Sequence, residues 1–158
     1  MVVTREQMLV FTQIIESETR IGDLYRIYAR RLAEHATFWL DLAAEENTHA
    51  VWVRTLYTHL KEGTISFNEE RFSPEAYQLF LDYLTRLIQQ AETERITMLQ
   101  ALSIAKDIEE TILEKNFFSI FFTEAVESKR LLSALHSSTE EHLRRVRALY
   151  ERLRPARN

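Results

Sequence analysis

The stretch FWLDLAAEENTHA, residues 38–50, sets a glutamate and a histidine three positions apart inside an apolar pattern. In a helix, residues three or four apart share a face. Phe38, Trp39, Leu42, Glu46, His49, Val53, Leu56 and Tyr57 then form one stripe, and Glu46 and His49 point the same way as the core residues. A helix that turns a carboxylate and an imidazole inward needs something inside to receive them.

Three further stretches repeat the pattern. Thr4 and Gln7 have the spacing of a capping box, which predicts a first helix from there to about Ala33. Its stripe is Phe11, Ile14, Ile15, Glu18, Ile21, Gly22 and Tyr25. The second helix should end near Lys61, with Gly63 placed to stop it. Residues 63–72 read as a long loop, and Ser73-Pro74 as an N-cap followed by a first-turn proline that opens a shorter helix. A third long helix is expected from about Thr93 to Phe118, with Leu102, Ala105, Glu109, Ile112, Leu113 and Asn116 on one face. A fourth starts between Thr123 and Ser128 and carries Leu131, Leu132, Leu135, Thr139, His142, Val146 and Leu149. Residues from Pro155 onward should fray.

Four long helices and a short one predict an all-α fold: an up-down pair, a crossover over residues 63–92, and a second up-down pair, all in one domain spanning residues 1–158. A weak internal repeat agrees. Each half has a lone glutamate in an apolar stripe, Glu18 or Glu109, then a histidine on the next helix, His49 or His142. Leu42 and Leu135 each precede their histidine by seven residues, close to two helical turns.

Composition narrows the function classes. Only two glycines and two prolines occur in 158 residues, too little punctuation for a loop-rich or sheet fold. Hydrophobic residues at 46% and charged ones at 28% match a soluble globular chain. A net charge of −4 argues against a nucleic-acid partner. The basic run HLRRVRALYERLRPAR ends a helix, where cations are favoured anyway. The absence of cysteine removes disulfides, thiolate metal sites and a thiol nucleophile, and fits a reducing compartment. The start, MVVTREQMLVFTQII, does not read as a signal peptide, and no stretch is apolar enough to span a membrane, so a cytoplasmic location is expected.

A single glutamate on an apolar stripe ordinarily sits at its edge and reaches water. Several at matching depth are harder to place, because each ionised carboxylate inside a bundle costs several kcal/mol unless paired. The stripes contain no Lys or Arg to pair them. A divalent cation would compensate the charge and also take a neutral imidazole, and a carboxylate-histidine set suits iron or manganese. His35, His59 and His136 have no convincing ligand partner at helical spacing, and Glu45 reads as solvated or as lying just outside such a centre.

In these segments the chain resembles the rubrerythrin-like branch of the ferritin-like superfamily. ESETRIGDLY (16–25) is similar to its pattern of a ligand glutamate seven residues before a tyrosine, which falls on Glu18 and Tyr25. FWLDLAAEENTHA resembles its leucine, glutamate, histidine run, with Leu42, Glu46 and His49. ALSIAKDIEETILEKNFF (101–118) resembles the segment supplying the next glutamate, Glu109. LLSALHSSTEEHLRRV (131–146) resembles the second Glu-x-x-His segment, with Leu135 and His142. The likeness runs from about residue 5 to 150.

The resemblance implies a ferritin-like antiparallel four-helix bundle whose crossover contains a short extra helix. It implies a non-haem di-iron centre that reacts with peroxide or dioxygen, with Glu18, Glu46, His49, Glu109 and His142 as metal ligands. Tyr25 would hydrogen-bond a ligand carboxylate or donate an electron, or is a core residue. With no cysteine-ligated iron domain, electrons would come from a separate donor; a homodimer is expected by analogy. One position departs from the pattern: Thr139 stands where the family has a glutamate, and Glu140 or Glu141 cannot replace it, since a helix turns about 100° per residue. Thr139 keeps open a second reading, in which the bundle holds one Zn, Mn or other ion, or none, and serves as a structural or interaction module.

Overall fold

A computed structural model describes residues 2–115 and 118–155. Five helices carry the fold: α1 (Arg5–Arg31), α2 (Ala36–Glu62), α3 (Pro74–Thr93), α4 (Met98–Lys115) and α5 (Val126–Leu153). The all-α expectation needs one amendment. A two-residue antiparallel ladder joins β1 (Ser66–Phe67) to β2 (Phe121–Phe122), with Ser66 opposite Phe122 and Phe67 opposite Phe121. It forms where the α2–α3 and α4–α5 connections leave the same end of the bundle. Residues 63–72 are therefore not a plain loop: they hold β1 and a 3-10 turn at Glu69–Arg71.

The helix ends follow local chemistry. Thr4 and Gln7 exchange both capping-box hydrogen bonds at the start of α1. Gly63, at φ 79°, ends α2 in the left-handed conformation. Ser73 accepts the amide of Ala76 beside Pro74 at the start of α3. The expected start of the third long helix at Thr93 is wrong. Thr93 ends α3, its hydroxyl donating back to the Gln89 carbonyl at 2.7 Å. The N-cap of α4 is Thr97, which accepts the Gln100 amide while its own amide donates to the Gln100 side chain. Asn116, expected on the α4 stripe, lies outside the described residues.

Paired contacts set the directions. Phe11 meets Tyr57, Glu18 meets His49 and Tyr28 meets Trp39, so α1 and α2 are antiparallel. His49 meets Ser138 and His59 meets Ser128, so α2 and α5 are antiparallel too. Gln13 bonds the Pro74 carbonyl, Arg20 bonds Leu81 and Thr85, and Arg30 pairs with Glu92, so α3 runs parallel to α1. At 20 residues, α3 spans about 30 Å and carries the chain back along the bundle. It is shorter than α1, α2 and α5, as expected of the crossover helix, but not than α4, which was expected to be long and has 18 residues. α1 lies between α2 and α3 and is buried on two faces: Val10, Gln13, Ser17, Leu24 and Tyr28 join the stripe read from sequence.

Aromatic layers close the bundle above and below the polar positions. Tyr25, Tyr28 and Trp39 cluster on one side, with ring centroids 4.9–6.4 Å apart. Phe11 contacts Tyr57 and Phe121 on the other, at 5.2 and 5.1 Å. No helix among the described residues is long and apolar enough to cross a membrane.

Candidate metal centre

Between these aromatic layers four helices bring five polar side chains together. Glu18 comes from α1, Glu46 and His49 from α2, Glu109 from α4 and His142 from α5; each is at most 2% exposed. Each occupies the inward position that its apolar stripe predicts.

Glu46 lies at the centre. Its Oε2 is 3.2 Å from His49 Nδ1, and its Oε1 is 2.8 Å from His142 Nδ1. Glu18 Oε2 stands 3.4 Å from His49 Nδ1, and Glu109 Oε1 stands 3.6 Å from His142 Nδ1. The imidazoles stack with centroids 5.0 Å apart and planes 18° from parallel. One ligand atom each from Glu46, His49 and His142 lies within 4.8 Å of the others, and this buried group can hold a metal ion.

Four inward atoms lack a protein partner, while His49 Nδ1 and Glu46 Oε2 bond each other at 3.2 Å. Glu18 Oε2, Glu46 Oε1, Glu109 Oε2 and His142 Nδ1 are buried with no hydrogen bond. Glu46 Oε1 and His142 Nδ1 are close enough for one, yet not oriented for it. Two ligands at right angles, each about 2.1 Å from one ion, stand about 3 Å apart. That spacing, with four of the converging atoms left without a hydrogen bond, suits a shared cation. Among the described residues the ion pairs reaching Glu18, Glu46 and Glu109 come only from the two histidines.

The outer nitrogens of both imidazoles, by contrast, are engaged. His49 Nε2 is 2.7 Å from Ser138 Oγ, and His142 Nε2 is 2.6 Å from Glu45 Oε2. Tyr25 donates to Glu109 Oε1 at 2.7 Å, so it serves a candidate ligand on α4 and not Glu18 on its own helix. Glu45 stands just outside the centre, one of the two places the sequence left open for it. Ser138 was not singled out; its one signal is that it lies four residues before His142 on a helix otherwise read only for its apolar face. Thr139 is buried and donates its hydroxyl to the Leu135 carbonyl at 2.9 Å, so its proton is spent within its own helix. Glu140 and Glu141 are exposed beside His136 and Arg144. His59 bonds Ser128, away from the centre.

When no metal is bound, protons balance the charges. Burial pushes the Glu18 carboxyl up, and the neighbouring Glu46 adds to this. Burial and Glu46 raise Glu109 likewise. Burial would raise Glu46 too, but His142 and His49 outweigh it and hold this carboxyl below the usual range. Burial pulls His49 down, but Glu18 and Glu46 outweigh it and raise it to about 10. Against the same burial effect, Glu109 and Glu46 raise His142 to about 11. Burial, then Glu109, keeps the Tyr25 phenol well above its ordinary value.

The chain matches no protein-family model, no curated protein and no solved structure. Fold and site therefore define a class by themselves: a helical protein with a small two-stranded ladder and a buried glutamate-histidine group able to bind a metal ion.

Proposed function

We propose that this chain is a ferritin-like bundle of the rubrerythrin type that holds two iron ions between its helix pairs and reacts with peroxide or dioxygen. The observation that carries the reading is the placement of Glu46. One of its oxygens faces His49, beside Glu18, and the other faces His142, beside Glu109. Glu18, Glu46 and His49 would hold one ion, and Glu46, Glu109 and His142 the other. The connectivity supports the same reading, since α3 runs the length of the bundle and makes α2 and α4 parallel.

Bound iron would supply the electrons and open coordination positions that O–O bond reduction needs. The chain's own residues do the rest. Aromatic layers exclude water, Tyr25 holds Glu109, and Thr139 puts no carboxylate at its position. Two dications would over-compensate three carboxylates, which favours a small anionic ligand such as deprotonated peroxide. Electrons would come from a separate donor, because the chain has no cysteine to ligate a second iron centre. A homodimer belongs to this reading by analogy with the superfamily.

One observation favours a second reading. Ligand atoms of Glu46, His49 and His142 are close enough to share a single ion, and Thr139 supplies no carboxylate. A bundle with one Zn or Mn ion, acting as a structural or interaction module, would have this geometry. Elemental analysis after expression in iron-supplemented medium separates the two. About two irons per chain, with an optical change when peroxide meets the ferrous protein, is expected. One ion per chain and no response to peroxide would replace the first reading with the second.

A further inference from the structure

His142 is held between consecutive glutamates of α2. Glu46 meets its Nδ1 from inside at 2.8 Å, and Glu45 meets its Nε2 from outside at 2.6 Å. Adjacent helix positions point about 100° apart, so neighbouring residues can take the two sides of one ring. Glu45 is itself fixed: Arg145, one turn along α5 from His142, donates to the same Oε2 at 2.6 Å. The ring is fully buried, while the side chains of Glu45 and Arg145 are 40% and 27% exposed. His49 has no such device, its outer partner being the neutral hydroxyl of Ser138.

We propose that Glu45, clamped by Arg145, is the positioning residue that turns His142 Nδ1 toward the metal centre and strengthens it as a ligand. The inference rests on the metal-binding reading above. A carboxylate on Nε2 keeps the ring proton on that nitrogen and leaves the Nδ1 lone pair facing inward. A charged acceptor also makes the ring a better donor to a metal than a hydroxyl does. The stronger outer partner therefore stands on the half of the centre where Thr139 supplies no carboxylate, so the two halves are supported by different means.

The test is Zn²⁺ titration of the metal-free protein, with side-chain ¹⁵N NMR of the histidines and metal analysis of Glu45→Gln, Arg145→Met and Ser138→Ala. In the Zn-loaded wild type, His142 should bind through Nδ1 and keep its proton on Nε2. Glu45→Gln should weaken the ion on His142 about 10- to 100-fold and change the His142 signals while leaving those of His49 in place. Arg145→Met, which does not touch the ring, should act in the same direction by a few-fold, and it carries the test if Glu45→Gln fails to fold. Ser138→Ala should leave the His142 signals unchanged. Coordination of His142 through Nε2 would overturn the inference. So would wild-type affinity and unchanged His142 signals in Glu45→Gln, or in Arg145→Met where that variant stands in. A wild type that takes up no Zn²⁺, Co²⁺ or Fe²⁺ would overturn the metal-binding reading itself, a separate and recognisable failure.

Discussion

The α1–α2 pair and the α4–α5 pair carry the same plan, a glutamate on one helix and a histidine on the next, but they complete it differently. The first pair supplies Glu18, Glu46 and His49 from its own residues. The second supplies Glu109 and His142, with Thr139 between their level and Leu135, and takes support from its neighbour: Tyr25 of α1 donates to Glu109, and Glu45 of α2 holds His142. Even Glu46 serves both. A symmetric plan has thus become an arrangement in which α5 braces the His49 half only through the neutral hydroxyl of Ser138, while Tyr25 and the charged Glu45 brace the other.

Glu46→Ala should have the largest effect, because it alone faces both histidines. Loss of an outer partner costs about 10- to 100-fold in metal affinity; loss of Glu46 should exceed that at both positions and leave the protein without metal by elemental analysis. Full metal content in this variant would break the comparison outright. Glu18→Ala should instead empty only the His49 half.

Next in size is pH. Metal binding must displace protons from histidines that the metal-free fold holds at about 10 and about 11, so affinity should climb steeply from pH 6 to 8, by up to about tenfold per unit for each proton released. Stability of the metal-free protein should move the other way. These histidines titrate near 6.5 when unfolded and higher when folded. Between those values the folded state binds more protons, so their stabilisation is complete below 6.5 and is lost as pH rises toward 10. Thermal melts of metal-free and Zn-loaded protein at pH 7 and 9 should diverge; parallel curves would mean that protons and metal do not compete.

Thr139→Glu sharpens the comparison by restoring the missing carboxylate. Occupancy of the His142 half should rise, with an affinity gain of roughly tenfold, a ligand mattering at least as much as an outer partner. The metal-free variant should lose about 1–3 kcal/mol from overpacking a buried site. Tyr25→Phe should have the smallest effect, about 1–2 kcal/mol in denaturation of the metal-free protein, from one buried hydrogen bond. It should weaken the ion on His142 without touching the one on His49.

The elements and the inward residues were legible because both follow from period and local chemistry. Glu18, Glu46, His49, Glu109 and His142 stand at stripe positions, and a helix carries such positions to one face wherever it packs. The Thr93 boundary failed for a local reason too. Thr97-x-x-Gln100 has the same spacing as Thr4-x-x-Gln7, but Thr93 came first along an uninterrupted helical pattern. The second buried face of α1 was not legible. Gln13 and Ser17 look like surface residues until α3 lies over them, with Gln13 bonding Pro74 sixty-one residues away.

By itself, then, the sequence determined five helices, the caps at Thr4, Gly63 and Ser73, and the inward stripe of the four helices expected to be long, since these depend on neighbours within a turn or two. Tertiary structure alone decided the pairing of those faces: that Tyr25 reaches Glu109 and not Glu18, that Glu45 and Glu46 take opposite sides of His142, and that two connecting loops meet as a ladder. Such contacts join residues far apart in the chain, and their geometry depends on the rotation and depth of one helix against another, which no local pattern encodes.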